Sequence, residues 1–274
     1  MNTTLPETST QPVIEVDNLV TYYGDQKILD DVSLSVAPGE IMVIMGGSGS
    51  GKSTLLRYLL GLHRADSGEV RLFGKCVNSL SSHEWMEIRK RIGVSFQGGA
   101  LFNSMTVGEN VRMPLREHTA LDENTMKIMS RMKLEVVNMA GYEHLMPAQL
   151  SGGMIKRAAL ARAIVMDPGI LFFDEPSAGL DPVVAADLDN LILRIREAMP
   201  VSIVVVTHEL DSAFKIADRI TVLDRGRILM VGSVEEVRNS DNPRIRNLLT
   251  RTSEDEPVDA DDYLHRLTEG AMRF

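Results

Sequence analysis

Nine residues, Gly46 to Thr54 (G-G-S-G-S-G-K-S-T), have the types and spacing needed to hold a triphosphate. Gly46, Gly51, Lys52 and Ser53 occupy the fixed positions of G-x-x-x-x-G-K-[ST]. Glycine lets the backbone turn through positive φ and come close to a ligand. The N–H groups of Gly47, Ser48, Gly49 and Ser50, with the start of the next helix, favour an anion in their concavity. Lys52 adds a compact positive charge for the outer phosphates. Ser53 offers a hydroxyl to Mg²⁺, which takes hard oxygen ligands in a near-octahedral shell. A buried strand (Ile41–Met45) before the loop and a helical pattern (Thr54–Leu60, stopping at Gly61) after it supply the context the motif needs.

A second group of chemical residues closes later strands. Ile170–Phe173 is apolar and ends in Asp174 and Glu175, at the strand end where open α/β sheets bind ligands. Asp174 is placed to hold Mg²⁺ or its water, and Glu175 to orient and deprotonate the water that attacks the γ-phosphate. His208 follows the next apolar strand, Ile203–Val206. Taken alone, a histidine there fits a structural role as well as a γ-phosphate contact. Leu150-Ser151-Gly152-Gly153-Met154 opens an Ala-rich helix whose start, capped by Ser151, is a second anion-binding terminus. One nucleotide does not need both termini from one chain, so the economical reading is that each subunit lends its second terminus to a partner's nucleotide.

These residues demand a particular scaffold. Short apolar strands separated by helices, such as Val183–Arg196, predict a parallel sheet covered on both faces. Val13–Val16 and Val32–Val36 alternate as half-buried antiparallel strands do, with Tyr22–Asp25 read as a turn between them, and Glu69–Gly74 as one more strand. From about Trp85 to Ala163 helical patterns dominate, including a capping box at Thr106/Glu109. The stripe Ile128, Met129, Met132, Val136, Met139 reads as a packed helix face. A further capping box at Ser233/Glu236 opens a late helix. The chain has 274 residues, enough for one α/β unit with subdomains. Its formal charge of −9 argues against nucleic-acid partners. A single cysteine, Cys76, fits a reducing compartment. Residues 1–12 read as a disordered leader without signal-peptide character. No run approaches the roughly 18 apolar residues of a bilayer span, so any work at a membrane needs another polypeptide to cross it.

Taken together and in order, these motifs resemble the ATP-binding-cassette family over residues 13–245. Gly46–Thr54 corresponds to Walker A, Gln97 to the Q-loop and Leu150–Met154 to the signature. Phe172–Glu175 closes Walker B, Ser177–Asp181 resembles the D-loop and His208 the switch histidine. Tyr23 falls where the family stacks an aromatic on adenine. The resemblance implies an α/β fold: a RecA-like P-loop NTPase core with an antiparallel β subdomain and an inserted helical subdomain at about residues 100–165. It implies ATP and Mg²⁺ as ligands, with Ser53, Gln97 and Asp174 holding the metal. Lys52, Glu175 and His208 then act in catalysis. Ser151, Gly152, Gly153 and Asp181 act in trans, in a head-to-tail dimer with a second copy. Met154 departs from the glutamine usual at the fifth signature position.

The signature helix, Gln97–Phe102 and Met113–His118 are together similar to the ATPases of Mce-type phospholipid transporters. That implies a Gram-negative bacterium, the cytoplasmic face of its inner membrane and an integral permease. It also implies a periplasmic Mce-domain lipid-binding protein and a STAS-domain protein as partners. An ATPase of another importer or exporter, or a soluble regulator, is the alternative. Phe102, Met105, Val107 and Met113 fit either a groove for the permease or the subdomain core. Residues 246–274 read as an acidic linker, with six acids among residues 254–262. It leads to an apolar end (Tyr263, Leu264, Leu267, Met272, Phe274) that fits either a docking element or a frayed terminus.

Overall fold

The structure, a computed structural model, describes residues 11–252. Two long strands open it, β1 (Ile14–Tyr23) and β2 (Gln26–Val36), paired antiparallel as a hairpin whose tip is Gly24–Asp25. Tyr22 and Tyr23 therefore end a strand and do not lead a turn. The hairpin is longer than its alternation indicates because the pattern is broken twice. Asn18 and Asp31 both adopt positive φ, the register shifts beside Asn18, and the Asn18 side chain donates to Asp31 at 2.6 Å. A bulge displaces the inward-facing set by one residue without ending the ladder.

β3 (Ile41–Met45) leads into helix α1 (Lys52–Leu59). β4 (Ser67–Leu72) and β5 (Lys75–Cys76) complete a four-stranded antiparallel sheet in the order β2-β1-β4-β5. Helix α2 (Ser82–Arg89) follows, then β6 (Ile92–Ser95). β6 lies inside the stretch expected to be helical. Four residues with a glycine among them carry too little periodicity to be read. Gly93 answers to packing instead: a Cβ there would stand 2.2 Å from the Ala163 carbonyl oxygen.

Helices α3 (Val107–His118), α4 (Glu123–Val136) and α5 (Gly152–Ala163) form the helical insertion. β7 (Ile170–Asp174), α6 (Pro182–Ala198), β8 (Ser202–Thr207), α7 (Leu210–Ile216) and β9 (Arg219–Asp224) return to alternation. β10 (Arg227–Gly232), unread in the sequence, turns back antiparallel on β9. Helix α8 (Val234–Arg238) follows its expected capping box. The second sheet runs β10-β9-β3-β8-β7-β6, parallel apart from its first strand. β3 and β8 are buried on both faces, so their side chains make one continuous apolar run. On one face Met42, Ile44, Phe172, Val204 and Val206 join Leu55, Leu56 and Leu59 of α1 and the inner residues of the antiparallel sheet in one core. α7 packs on β3, and α6 on α7.

A second compact unit starts at Ser240. Its described part is helix α9 (Pro243–Thr250), with Asn242 capping the Arg244 N–H at 3.0 Å. The boundary expected at residue 246 falls inside this helix. The leader up to Thr10, and the acidic and apolar tail from Ser253, lie outside the described residues.

The expected stripe on α4 is packed only in part. Ile128, Met132 and Val136 are 54%, 60% and 42% exposed, whereas Met129 is half-buried and Met139, beyond the helix end, is buried. The inward row of the helix is Met126, Ser130 and Leu134, continued by Val137. Both sets recur at three- and four-residue spacing, and sequence alone does not tell which row faces inward. Met132→Ser is therefore expected to change unfolding free energy by no more than about 0.5 kcal/mol. Leu134→Ala should cost about 2–5 kcal/mol, both read by urea denaturation.

Candidate active site

Register brings the chemical residues to one rim. Met45 at the end of β3 pairs with Thr207 on β8, Asp174 on β7 pairs with Val206, and Ser95 on β6 pairs with Phe173. The phosphate loop, Gln97, Asp174–Glu175 and His208 therefore all leave the sheet at the carboxyl ends of adjacent strands, the position where such sheets bind ligands.

The loop is built for close approach. A Cβ on Gly46 would stand 2.0 Å from the Leu223 carbonyl oxygen on β9. Gly51 takes φ +107 and opens α1 with no side-chain cap. The first N–H groups of α1 are thus left for an external acceptor, on a helix end that favours negative charge. Gly47, Ser48 and Gly49 are exposed, whereas Ser50 is buried. Lys52 is buried, its ammonium donating to the Gly46 and Gly47 carbonyls at 2.8 Å each. Burial pushes its pKa down, opposed by the charges of Glu175 and Asp174. Ser53 is exposed and Thr54 buried in the next turn.

Glu175 is the most constrained residue of the group. It is not a glycine, yet it sits at φ +48, a conformation that costs energy and is found at functional sites. Its N–H donates to the Val206 carbonyl at 2.8 Å. One carboxylate oxygen accepts from the Thr207 hydroxyl at 3.1 Å, and the other lies 2.8 Å from His208 Nδ1. Thr207 is a site residue that sequence reading passed over, although its place between a buried strand and His208 marks it. Asp174 is half-buried, and burial followed by the charge of Glu175 raises its pKa, against the opposing charges of Arg57, Lys156 and Lys52.

The second helix start expected to bind an anion is assembled elsewhere on the chain. Ser151 caps α5, its hydroxyl oxygen accepting from the Met154 N–H at 3.3 Å, which leaves the hydroxyl hydrogen free to donate outward. Gly153 lies against Val184 and Gly152 near Leu180, which sets this terminus beside Asp181. Asp181 caps α6 through the N–H groups of Val183 and Val184, both at 3.1 Å. Among the described residues no hydrogen bond joins Ser151–Gly153 to the loop Gly46–Ser53. Tyr23 is 45% exposed at the hairpin tip, with the His63 ring edge-on at 6.5 Å. Gln97 is exposed just beyond β6.

The sequence model of the ABC transporter family matches residues 29–178. The chain belongs to the ABC transporter family. As an ABC ATPase it is 41% identical to the intermembrane phospholipid transport system ATP-binding protein MlaF of Haemophilus influenzae. That alignment covers 94% of this chain and 99% of the relative. It is 42% identical to a Mycobacterium leprae protein named probable ribonucleotide transport ATP-binding protein mkl, over 86% of this chain and 68% of that one. Among solved structures it superposes on the dimeric structure of MJ0796, a bacterial ABC transporter cassette, with a TM-score of 0.75 and 31% identity. That match covers 81% of this chain and 98% of that one. This ABC ATPase has the α/β fold expected from its sequence, and its family hydrolyses ATP.

The raised pKa of Asp174 has a stability consequence. A carboxyl whose folded pKa lies above its unfolded value destabilises the fold wherever it is ionised. Asp174→Asn is therefore expected to raise the thermal midpoint of the nucleotide-free protein by a few degrees at neutral pH. The gain should shrink as pH falls through the raised value towards the ordinary carboxylate range. Differential scanning calorimetry between pH 4 and pH 8 measures both.

Proposed function

We propose that this protein is the ATP-hydrolysing subunit of a bacterial phospholipid transporter, working as a head-to-tail homodimer on the cytoplasmic face of the inner membrane. The observation that carries this reading is the alignment with a phospholipid-transport relative along 99% of that relative's length. The mycobacterial relative named for ribonucleotide transport is matched over only 68% of its length, which gives that substrate less support.

In this reading Tyr23 stacks on adenine, and the phosphates lie in Gly46–Thr54. Lys52 exchanges two backbone carbonyls for phosphate oxygens, so its ammonium is never left without partners. Mg²⁺ fits the residues present: Ser53, Gln97 and Asp174 supply hard oxygens, and a carboxylate destabilised by burial and by Glu175 gains from a cation. Among the described residues no cluster of three His, Cys, Asp or Glu forms a closed cage. That suits an ion that keeps water and phosphate in its shell. When bound, Mg²⁺ neutralises charge on the phosphate oxygens. Glu175 takes a proton from water as its oxygen bonds to the γ-phosphorus and the bond to the β-γ bridging oxygen breaks. His208 holds that carboxylate through Nδ1, 2.8 Å away; its Nε2, which lies 3.6 Å from Glu209, is the nitrogen left to reach the γ-phosphate.

The partner's Ser151, Gly152 and Gly153 donate to the same phosphate, with Asp181 beside them. Loss of that phosphate removes what both chains grip, so closure and opening follow hydrolysis. Energy then passes to a separate permease, since no helix among the described residues is long and apolar enough to cross a membrane. A depression of about 350 Å³ beside β6 offers the permease a seat. Phe96, Phe102, Met113 and Pro114 line it, and Arg89 and Lys90 rim it. Phe102 and Met113 thus face this groove, whereas Val107 is core. A periplasmic Mce-domain lipid-binding protein and a STAS-domain protein complete the proposed transporter.

Glu175→Gln is expected to bind ATP with unchanged affinity, to lower turnover by about a hundredfold or more, and to elute as a dimer when ATP is present. Undiminished turnover removes Glu175 as the base. Affinity purification from detergent-solubilised membranes is expected to recover an integral membrane protein and bound phospholipid. Recovery of the chain alone, from the soluble fraction only, overturns the transporter reading.

A further inference from the structure

Helix α5 begins at the terminus that serves a partner's nucleotide and carries a buried lysine one turn later. Lys156 is 7% exposed. Its ammonium donates to two backbone carbonyls from different loops, that of Gln97 and that of Glu175, the latter at 3.2 Å. Six residues further along, Arg162 donates to the carbonyls of Gly99 and Ala100, both at 2.7 Å. Gly99 also packs so tightly on α5 that a Cβ there would stand 2.7 Å from Ile155. One helix thus fixes the loop carrying Gln97 at both ends and the peptide of Glu175 as well.

Burial pushes the Lys156 pKa down, while Asp174 and Glu175 oppose that shift. A buried ammonium is expensive, and an apolar side chain of similar length would fill the space at less cost to stability. What methionine would lack is the grip on two carbonyls. Glu175 is held at φ +48, where little but its surroundings fixes the peptide. Its side chain is restrained by Thr207 and His208, and its carbonyl by Lys156.

We infer that Lys156 is a positioning residue for hydrolysis: it ties the signature helix to the Gln97 and Glu175 peptides, so that seating Ser151 on a partner's nucleotide sets the geometry of the chain's own base. This rests on the reading of Glu175 as base. Lys156 acts through the peptides it holds. The coupling runs through two hydrogen bonds and one helix, a contiguous path that substitution can cut.

The test is steady-state ATPase kinetics with ATP binding measured in parallel. Lys156→Met is expected to lower kcat about tenfold, with KM and the calorimetric ATP affinity within about twofold of the parent. Lys156→Gln, polar and able to donate to one of the two carbonyls, should lose kcat by only a few-fold with the same unchanged affinity. Combined with Ser151→Ala, either variant should lose less than the product of the two single losses, as coupled positions do. An unchanged kcat overturns the inference, as does a parallel fall in kcat and ATP affinity, or losses that simply multiply. Glu175→Gln run alongside separates the two claims: if it keeps turnover, the base assignment fails. If it abolishes turnover while Lys156 substitution does nothing, only the role of Lys156 fails.

Discussion

Everything in this molecule depends on the register of three neighbouring parallel strands. β7, β8 and β3 end level with one another, with Asp174 beside Val206 and Met45 beside Thr207. Slipping any one of these strands by a residue would turn its side chains over and carry its chemical residues off the common rim. β3 and β8 are buried throughout, so helices pack on both their faces and hold them in place. The phosphate loop, the carboxylate pair and the histidine are then placed by backbone hydrogen bonds, with no loop needed to find its own position.

That rigid rim sets a contrast between support and working surface. Gly46, Ser50 and Lys52 are buried, while Gly47, Ser48, Gly49, Ser53, Gln97 and Tyr23 are exposed. Ser151, Gly152 and Asp181 are exposed as well, on elements anchored by their own caps. An uncapped α1 terminus and a capped α5 terminus differ in what they offer. The first presents bare backbone N–H groups, and the second a hydroxyl hydrogen from Ser151 with glycine N–H groups around it. In the proposed head-to-tail pair these two half-sites are satisfied together, each chain completing the other.

Much of this was legible because chemistry and local structure coincide in the sequence. Gly46–Thr54, Asp174–Glu175 and Thr207–His208 follow the strongest apolar runs of the chain, and capping boxes at Thr106 and Ser233 form as their spacing demands. The losses have equally local causes. β6 is short and contains Gly93, needed where α5 crosses it. β10 is a short half-buried edge whose apolar run, Ile228–Val231, carries no alternation to mark it. The hairpin β1–β2 hides its length behind a bulge at Asn18. On α4 two rows of apolar residues compete for the inward face, and only the packing of Leu134 and Val137 decides between them. Lys156 was visible as a basic residue on a helix. Its two acceptors are backbone carbonyls, at residues 97 and 175, and side-chain patterning carries no trace of those.

In the proposed reading, the constraint on Glu175 holds a base ready without spending it. A carboxylate between Thr207 and His208 is hydrogen-bonded on both oxygens, which fixes its direction. Fixing direction is the costly part of general base catalysis, because a freely rotating carboxylate must be ordered during the reaction. Here the order is established beforehand, through a positive φ imposed by the strand end and a carbonyl held from α5. The strain is borne by the fold, whose buried strands can carry it. The same fold presents Lys52 with two carbonyl partners, which in the proposed reading phosphate oxygens replace. Substrate entry therefore requires little reorganisation of charge, which is the condition under which electrostatic stabilisation is most effective.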